Sequence, residues 1–190
     1  EGDITGSKRD LKAKSINIPS PAQCLSLLKQ YEVYPNIISH SKQVTKVAMF
    51  LAKSLKKGGI ALNLSLIEAG ALLHDIGKTY SLKHPGTDHI KKGSQWLEEL
   101  GYPQVAEIVR QHVDLPNPLK INEKTIVSYA DKRVKHDIIV SLEERFSDLL
   151  KRYGQTESKQ KRLKKLYQRA RKLEALIFSY LPFNPDFITN

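Results

Sequence analysis

Apolar residues recur at helical spacing along most of this chain, and six positions on or beside those apolar faces hold histidine or aspartate. His40 precedes Val44 and Leu51 on one helical face. His74 and Asp75 end the apolar run Leu66, Gly70, Leu73, and Gly77 then stops it. His89 shares a face with Gly93, Trp96, Leu97 and Leu100, and His112 with Val105, Ile108 and Val109. Asp131 follows Val127 by one helical turn. Burying one such group without a partner costs on the order of a few kcal/mol. Six of them on five separate helices therefore constrain the fold to one that brings them together, and a shared metal centre would satisfy all of them at once.

The remaining pattern is helical too. Faces are legible at Val44–Leu55, Leu66–His74, Trp96–Leu100, Val105–Val109, Ile126–Ala130, Ile138–Leu150 and Leu163–Tyr180, with breaks at Gly58-Gly59, Pro85-Gly86, Gly101, Pro116 with Pro118, Gly154, and Pro182 with Pro185. No run of alternating residues argues for a sheet. The expected fold class is all-α, a single irregular helical bundle over residues 20–190. A polar, mobile leader is expected over residues 1–19, and a basic helical extension over residues 151–181. Asp88 is positioned to cap the helix that starts at His89. His84, before Pro85, is expected in an extended loop. His136-Asp137 is expected to open a helix and face solvent.

A single cysteine, Cys24, cannot form an internal disulfide and sits among leucines, so it reads as core packing. With no signal peptide and no membrane-spanning run visible, a cytoplasmic protein is expected. The formal net charge is +11, and residues 151–172 hold ten Lys or Arg against one acid, Glu157. That segment reads first as a solvated helix face and second as a patch for nucleic acid.

The order His40, His74-Asp75, His89, His112, Asp131 resembles the HD superfamily of metal-dependent phosphohydrolases. The likeness spans about residues 36–135. Its specific parts are His74-Asp75-Ile76-Gly77-Lys78, His89-x-x-x-Gly93 and Ser128-Tyr129-Ala130-Asp131-Lys132. The resemblance implies that His40, His74, Asp75 and Asp131 bind one divalent ion. In two-metal members, the residues matching His89 and His112 bind a second, and that matching Asp75 bridges the pair. Gly101-Tyr102-Pro103 spells the tripeptide of the cyclic-di-GMP phosphodiesterase branch without its paired histidines, and is read as a turn. Gly77-Lys78 stands where guanosine-polyphosphate hydrolases carry Glu-Asp. The chain looks most like small bacterial and archaeal HD proteins, including the diadenosine tetraphosphate hydrolase branch. Residues 69–146 also resemble HD domains attached to nucleotidyltransferase domains, notably over Val140–Phe146.

The chemistry so implied is hydrolysis of a nucleotide or related phosphate ester or anhydride. One or two ions would lower the pKa of a water, and the hydroxide held by Asp75 would attack phosphorus. Imidazole and carboxylate ligands without thiolate suit Mn, Fe, Co, Ni or Mg. Lys78 is the first candidate for a phosphate contact. Lys132 and Arg133 are expected either to touch phosphate or to lie exposed, and Arg110 is a further candidate. The alternative is a nucleic-acid-binding or regulatory module that kept the fold and lost the chemistry. A degenerate module should lack some ligands, and all six positions are filled.

Overall fold

A computed structural model describes residues 16–189. The chain is mostly helical, and local sequence explains where each helix starts. Ser20 caps α1 (Pro21–Gln30) in a reciprocal box with Gln23. Pro35 opens α2 (Pro35–Lys57), and Gly58 follows its end. Asn63 caps α3 (Leu64–Leu73), and the short α4 (Lys78–Lys83) follows one turn later. Asp88 accepts from the backbone N–H groups of Ile90 and Lys91 at the start of α5 (His89–Glu99), as its position in the sequence predicts. The left-handed Gly101 and then Pro103 turn the chain into α6 (Pro103–Gln111). Asn122 caps α7 (Glu123–Asp131), Ser141 caps α8 (Leu142–Tyr153), and Thr156 caps α9 (Glu157–Phe178). A 3-10 turn, Pro185–Phe187, lies near the C-terminus.

One segment departs from the helical expectation. Val134–Lys135 (β1) and Ile138–Ile139 (β2) pair antiparallel, Val134 opposite Ile139, with His136-Asp137 as the two-residue turn. His136 adopts φ 55°, as tight hairpin turns require. His136-Asp137 therefore does not open a helix. Ile138 and Ile139 belong to a strand, and α8 begins only at Leu142.

Two apolar clusters form the core. One joins α2, α7, α8 and α9 through residues such as Leu51, Leu55, Ile126, Phe146 and Leu173. The other joins α1, α5 and α6 with the end of α3 through Cys24, Leu28, Leu73, Leu97 and Val109. Cys24 is fully buried, as its leucine neighbours imply, and burial pushes its thiol up to about 12. α2 packs chiefly on α3 and α7, and α5 on α6. Of the expected leader, only residues 16–19 lie within the described residues. No helix among the described residues is long and apolar enough to cross a membrane.

Candidate metal centre

The six candidate ligands come from five helices and meet at one point. His40 projects from α2, and Asp131 is the last residue of α7. His74 caps the C-terminus of α3, and Asp75 follows in the turn before α4. His89 is the first residue of α5, and His112 caps the C-terminus of α6. Helix ends serve here because their backbone leaves the helical path, so neighbouring side chains such as His74 and Asp75 can turn toward one centre.

The contacts divide around Asp75. Its Oδ2 lies 3.6 Å from His74 Nε2, and its Oδ1 lies 3.7 Å from both His89 Nε2 and His112 Nε2. Asp131 Oδ1 lies 3.0 Å from His40 Nε2 and 3.5 Å from His74 Nε2. Two ligand groups result, His40 with His74 and Asp75, and His89 with His112 and Asp75, each with its donor atoms within 4.8 Å of one another. His74, His112 and Asp131 form a third grouping of the same kind.

The far sides of three imidazoles are fixed. His74 Nδ1 donates to the Ala71 carbonyl, 2.7 Å, and His112 Nδ1 to the Val109 carbonyl, 2.7 Å. His40 Nδ1 donates to the His136 carbonyl, 2.6 Å. Each bond turns Nε2 inward, the arrangement by which outer hydrogen bonds orient metal-ligating histidines. The His136 contact was missed by sequence reasoning, because the group involved is a backbone carbonyl. The only signal was a left-handed-tolerant pair between two short β-branched stretches.

Glycine brings the two halves of the centre together. A Cβ on Gly77 would sit 2.2 Å from the His89 carbonyl oxygen and 2.8 Å from the Gly93 nitrogen. A Cβ on Gly93 would in turn sit 3.2 Å from the Gly77 nitrogen. The turn carrying Asp75 thus lies directly on the backbone of α5, which brings His89 to Asp75. The spacing Asp75-Ile76-Gly77 and His89-x-x-x-Gly93 is this contact read along the chain.

The electrostatics suit a cation. Burial pushes Asp75 up, but His74, Lys78 and His112 outweigh it and hold the carboxyl well below its usual range. Asp131 is likewise held low against its burial by the hydrogen bond from His40 and by the charge of His74 beside it. Burial, followed by the charge of His74, pushes His112 down to about 4, so this imidazole is neutral at pH 7. Burial also lowers His89. His74 runs the other way, because Asp75 and Asp131 more than offset its burial. Its Nε2 is buried with no hydrogen-bond partner, a state shared among the described residues only with Ser41 Oγ and Arg145 Nε. An orphaned imidazole nitrogen between a buried and a half-buried carboxylate, beside a neutral imidazole, is a donor set that fits a divalent ion.

The lysines and arginines near the centre separate into two kinds. Lys78 Nζ lies 2.9 Å from Asp75 Oδ2 and is partly open to solvent; burial lowers its pKa, and the pairing with Asp75 raises it further than that. Lys132 and Arg133 are neither exposed nor aimed at the centre. Lys132 donates to the carbonyls of His112 and Ser128 and to Ser128 Oγ. Arg133 donates to the Val140 carbonyl, the Tyr129 hydroxyl and the carbonyls of Pro185 and Ile188. Both are structural, which corrects the expectation of exposure or phosphate contact. Arg110 pairs with Glu98 and Glu107 on the surface. His84 lies at the exposed end of α4, stacked on Tyr80.

The model of the HD domain matches residues 37–134, more than half of the chain. This chain belongs to the HD domain family. Among relatives of the HD protein is the tRNA (cytidine(56)-2'-O)-methyltransferase of Picrophilus torridus, 35% identical over 144 residues, which cover 67% of this chain and 40% of that protein. Another is the dihydroneopterin 2',3'-cyclic phosphate phosphodiesterase of Methanocaldococcus jannaschii, 36% identical over 111 residues, 50% of this chain and 45% of that protein. The chain spans less than half the length of either. A crystal structure described as a predicted HD superfamily hydrolase, from an uncultured Thermotogales bacterium, superposes with a TM-score of 0.48 at 20% identity, over 83% of this chain and 91% of that one.

Proposed function

We propose that this HD domain is a metal-dependent phosphohydrolase acting on a phosphate ester or anhydride of a nucleotide. The observation that carries the reading is the buried, unpartnered Nε2 of His74 at the junction of Asp75 and Asp131. In this reading His40, His74, Asp75 and Asp131 hold one ion, and Asp75, His89 and His112 hold a second. A bound divalent ion supplies the positive charge that acidifies water and neutralises phosphoryl oxygens.

The chain's own residues do the rest. Asp75 and Asp131 are held ionised, and Asp75 is buried, so their charge is only weakly screened at the centre. His112 is buried and His89 is partly open, so the phosphate approaches from the His89 and Lys78 side. Lys78, tethered to Asp75 and partly exposed, contacts a phosphoryl oxygen. The substrate class is a phosphate ester or anhydride of a ribonucleotide. Support for the ribonucleotide comes from a similar protein named for tRNA, and support for phosphate-ester hydrolysis from one named for the cyclic phosphate of a pterin. A module that had lost its chemistry would have vacant ligand positions, and none of the six is vacant.

The test is hydrolysis of a panel of nucleoside mono-, di- and triphosphates, 2',3'-cyclic nucleotides and dinucleoside polyphosphates, with Mn, Fe, Co, Ni or Mg added. At least one should be cleaved by the wild type and by none of the Asp75→Ala preparations. Equal release of product by wild type and Asp75→Ala, or no cleavage with any metal, sinks the reading.

A further inference from the structure

The centre does not account for the basic segment of the chain. In α9 the apolar residues Leu163, Leu166, Ala170, Leu173 and Ile177 turn toward the protein, whereas Lys159, Lys161, Lys164, Lys165, Arg171 and Lys172 are exposed. Lys161, Lys164, Lys165 and Lys172 lie on one face, spread over roughly 16 Å at 1.5 Å per residue. Lys161 pairs with Glu157. No side-chain partner is recorded among the described residues for Lys159, Lys164, Lys165 or Lys172. A solvated helix normally interleaves acids among its cations. Here three of the four cations in the row have no recorded counter-charge among the described residues.

This row borders a concavity of about 420 Å³ between α9 and the loop that follows His112, lined by Asp114, Leu115, Asn117, Arg162, Lys165 and Arg169. Arg169 fixes the loop to the helix by donating to the carbonyls of Leu115 and Pro116, and Arg162 reaches Asp114 at 3.3 Å. Among the described residues, Lys165 is the one cation lining the concavity with no recorded partner. The loop that forms one side of the concavity begins two residues after His112. At the other end, Tyr153 closes α8 with its ring about half exposed, under the Arg152 guanidinium at 5.2 Å. Gln160 at the start of α9 donates back to the Gly154 carbonyl, 2.8 Å, so this open ring adjoins the cations of α9.

The chemistry of this surface selects its occupant. A membrane surface would need apolar side chains between the cations, and those positions hold Ser158, Gln160 and Gln168. A row of cations beside an exposed aromatic ring is what a single-stranded polynucleotide uses, phosphates on the cations and a base on the ring. We propose that the exposed face of α9, the loop after His112 and Tyr153 form a docking surface for single-stranded RNA. RNA as the occupant rests on the ribonucleotide substrate class proposed above.

The experiment is fluorescence anisotropy of a labelled oligouridine of about a dozen nucleotides, with the full chain in chelator so that hydrolysis does not enter. If about four phosphates are held, affinity should fall on the order of 50-fold between about 50 and 200 mM salt. The double variant Lys164→Glu/Lys165→Glu should bind at least about tenfold more weakly with a shallower salt dependence. Its thermal unfolding and its hydrolysis of a mononucleotide should stay at wild-type values. Tyr153→Ala should lose about fivefold or more in affinity with the salt dependence unchanged. No binding at low salt, equal binding by the variants, or equal affinity for oligothymidine or polyglutamate would each overturn the proposal. Because binding is read without metal, normal RNA binding in a protein that hydrolyses nothing would remove only the hydrolase reading.

Discussion

Two buried polar regions lie side by side at the end of α7, and they are built on opposite principles. In the first, side chains of His40, His74, Asp75, His112 and Asp131 converge, and His74 Nε2 is left without a partner. In the second, which begins at the very next residue, every side-chain nitrogen and hydroxyl has a partner. All three Lys132 contacts go to His112 and Ser128, and all three guanidinium nitrogens of Arg133 are bonded. Tyr129 accepts from Arg133 and donates to Glu174, 2.6 Å, with burial holding its phenol well above the usual range. A buried polar network that is closed determines architecture, and one that is left open has capacity for a ligand. The second region also supports the first, because Lys132 and Ser128 Oγ grip the His112 carbonyl.

The contrast can be broken by substitution. Arg133→Ala should cost the most stability, about 3–5 kcal/mol, because it leaves Glu174 and several buried carbonyls unpaired; denaturant unfolding measures it. Metal content of the folded fraction should stay near that of wild type, and loss of metal without loss of stability would reverse the roles assigned here. Gly77→Ala should cost about 1–3 kcal/mol, since its Cβ would enter the α5 backbone at His89. It should also weaken metal binding by displacing His89 from Asp75, and isothermal titration with Mn should find the second, weaker binding step diminished. Ser128→Ala should cost least, about 1 kcal/mol for one hydrogen bond in each direction, with metal stoichiometry intact.

The convergence of the candidate ligands was legible because each is a polar residue at an apolar position of a helix, a conflict visible in the sequence itself. His40, His74, His112 and Asp131 stood out this way, and Gly77 with Gly93 marked the crossing that joins His89 to Asp75. Lys132 and Arg133 were misread because their partners are distant in sequence: His112 for one, Pro185 and Ile188 for the other. A charged residue near a helix end is usually exposed, and nothing local signals otherwise. The hairpin was lost for a different reason. Two-residue strands are too short to show alternation, so Ile138 and Ile139 merged with the periodicity of α8. With the hairpin went the His136 carbonyl that orients His40.

The central claim is that the open region holds metal and that Asp75 joins its two halves. Elemental analysis of protein purified without chelator tests it most directly, comparing wild type with His112→Ala and Asp75→Ala. Wild type should carry close to two transition-metal equivalents, His112→Ala should lose one, and Asp75→Ala should lose most of both. A wild type that carries no metal and cannot be reloaded with Mn, Fe, Co, Ni or Mg would contradict the account.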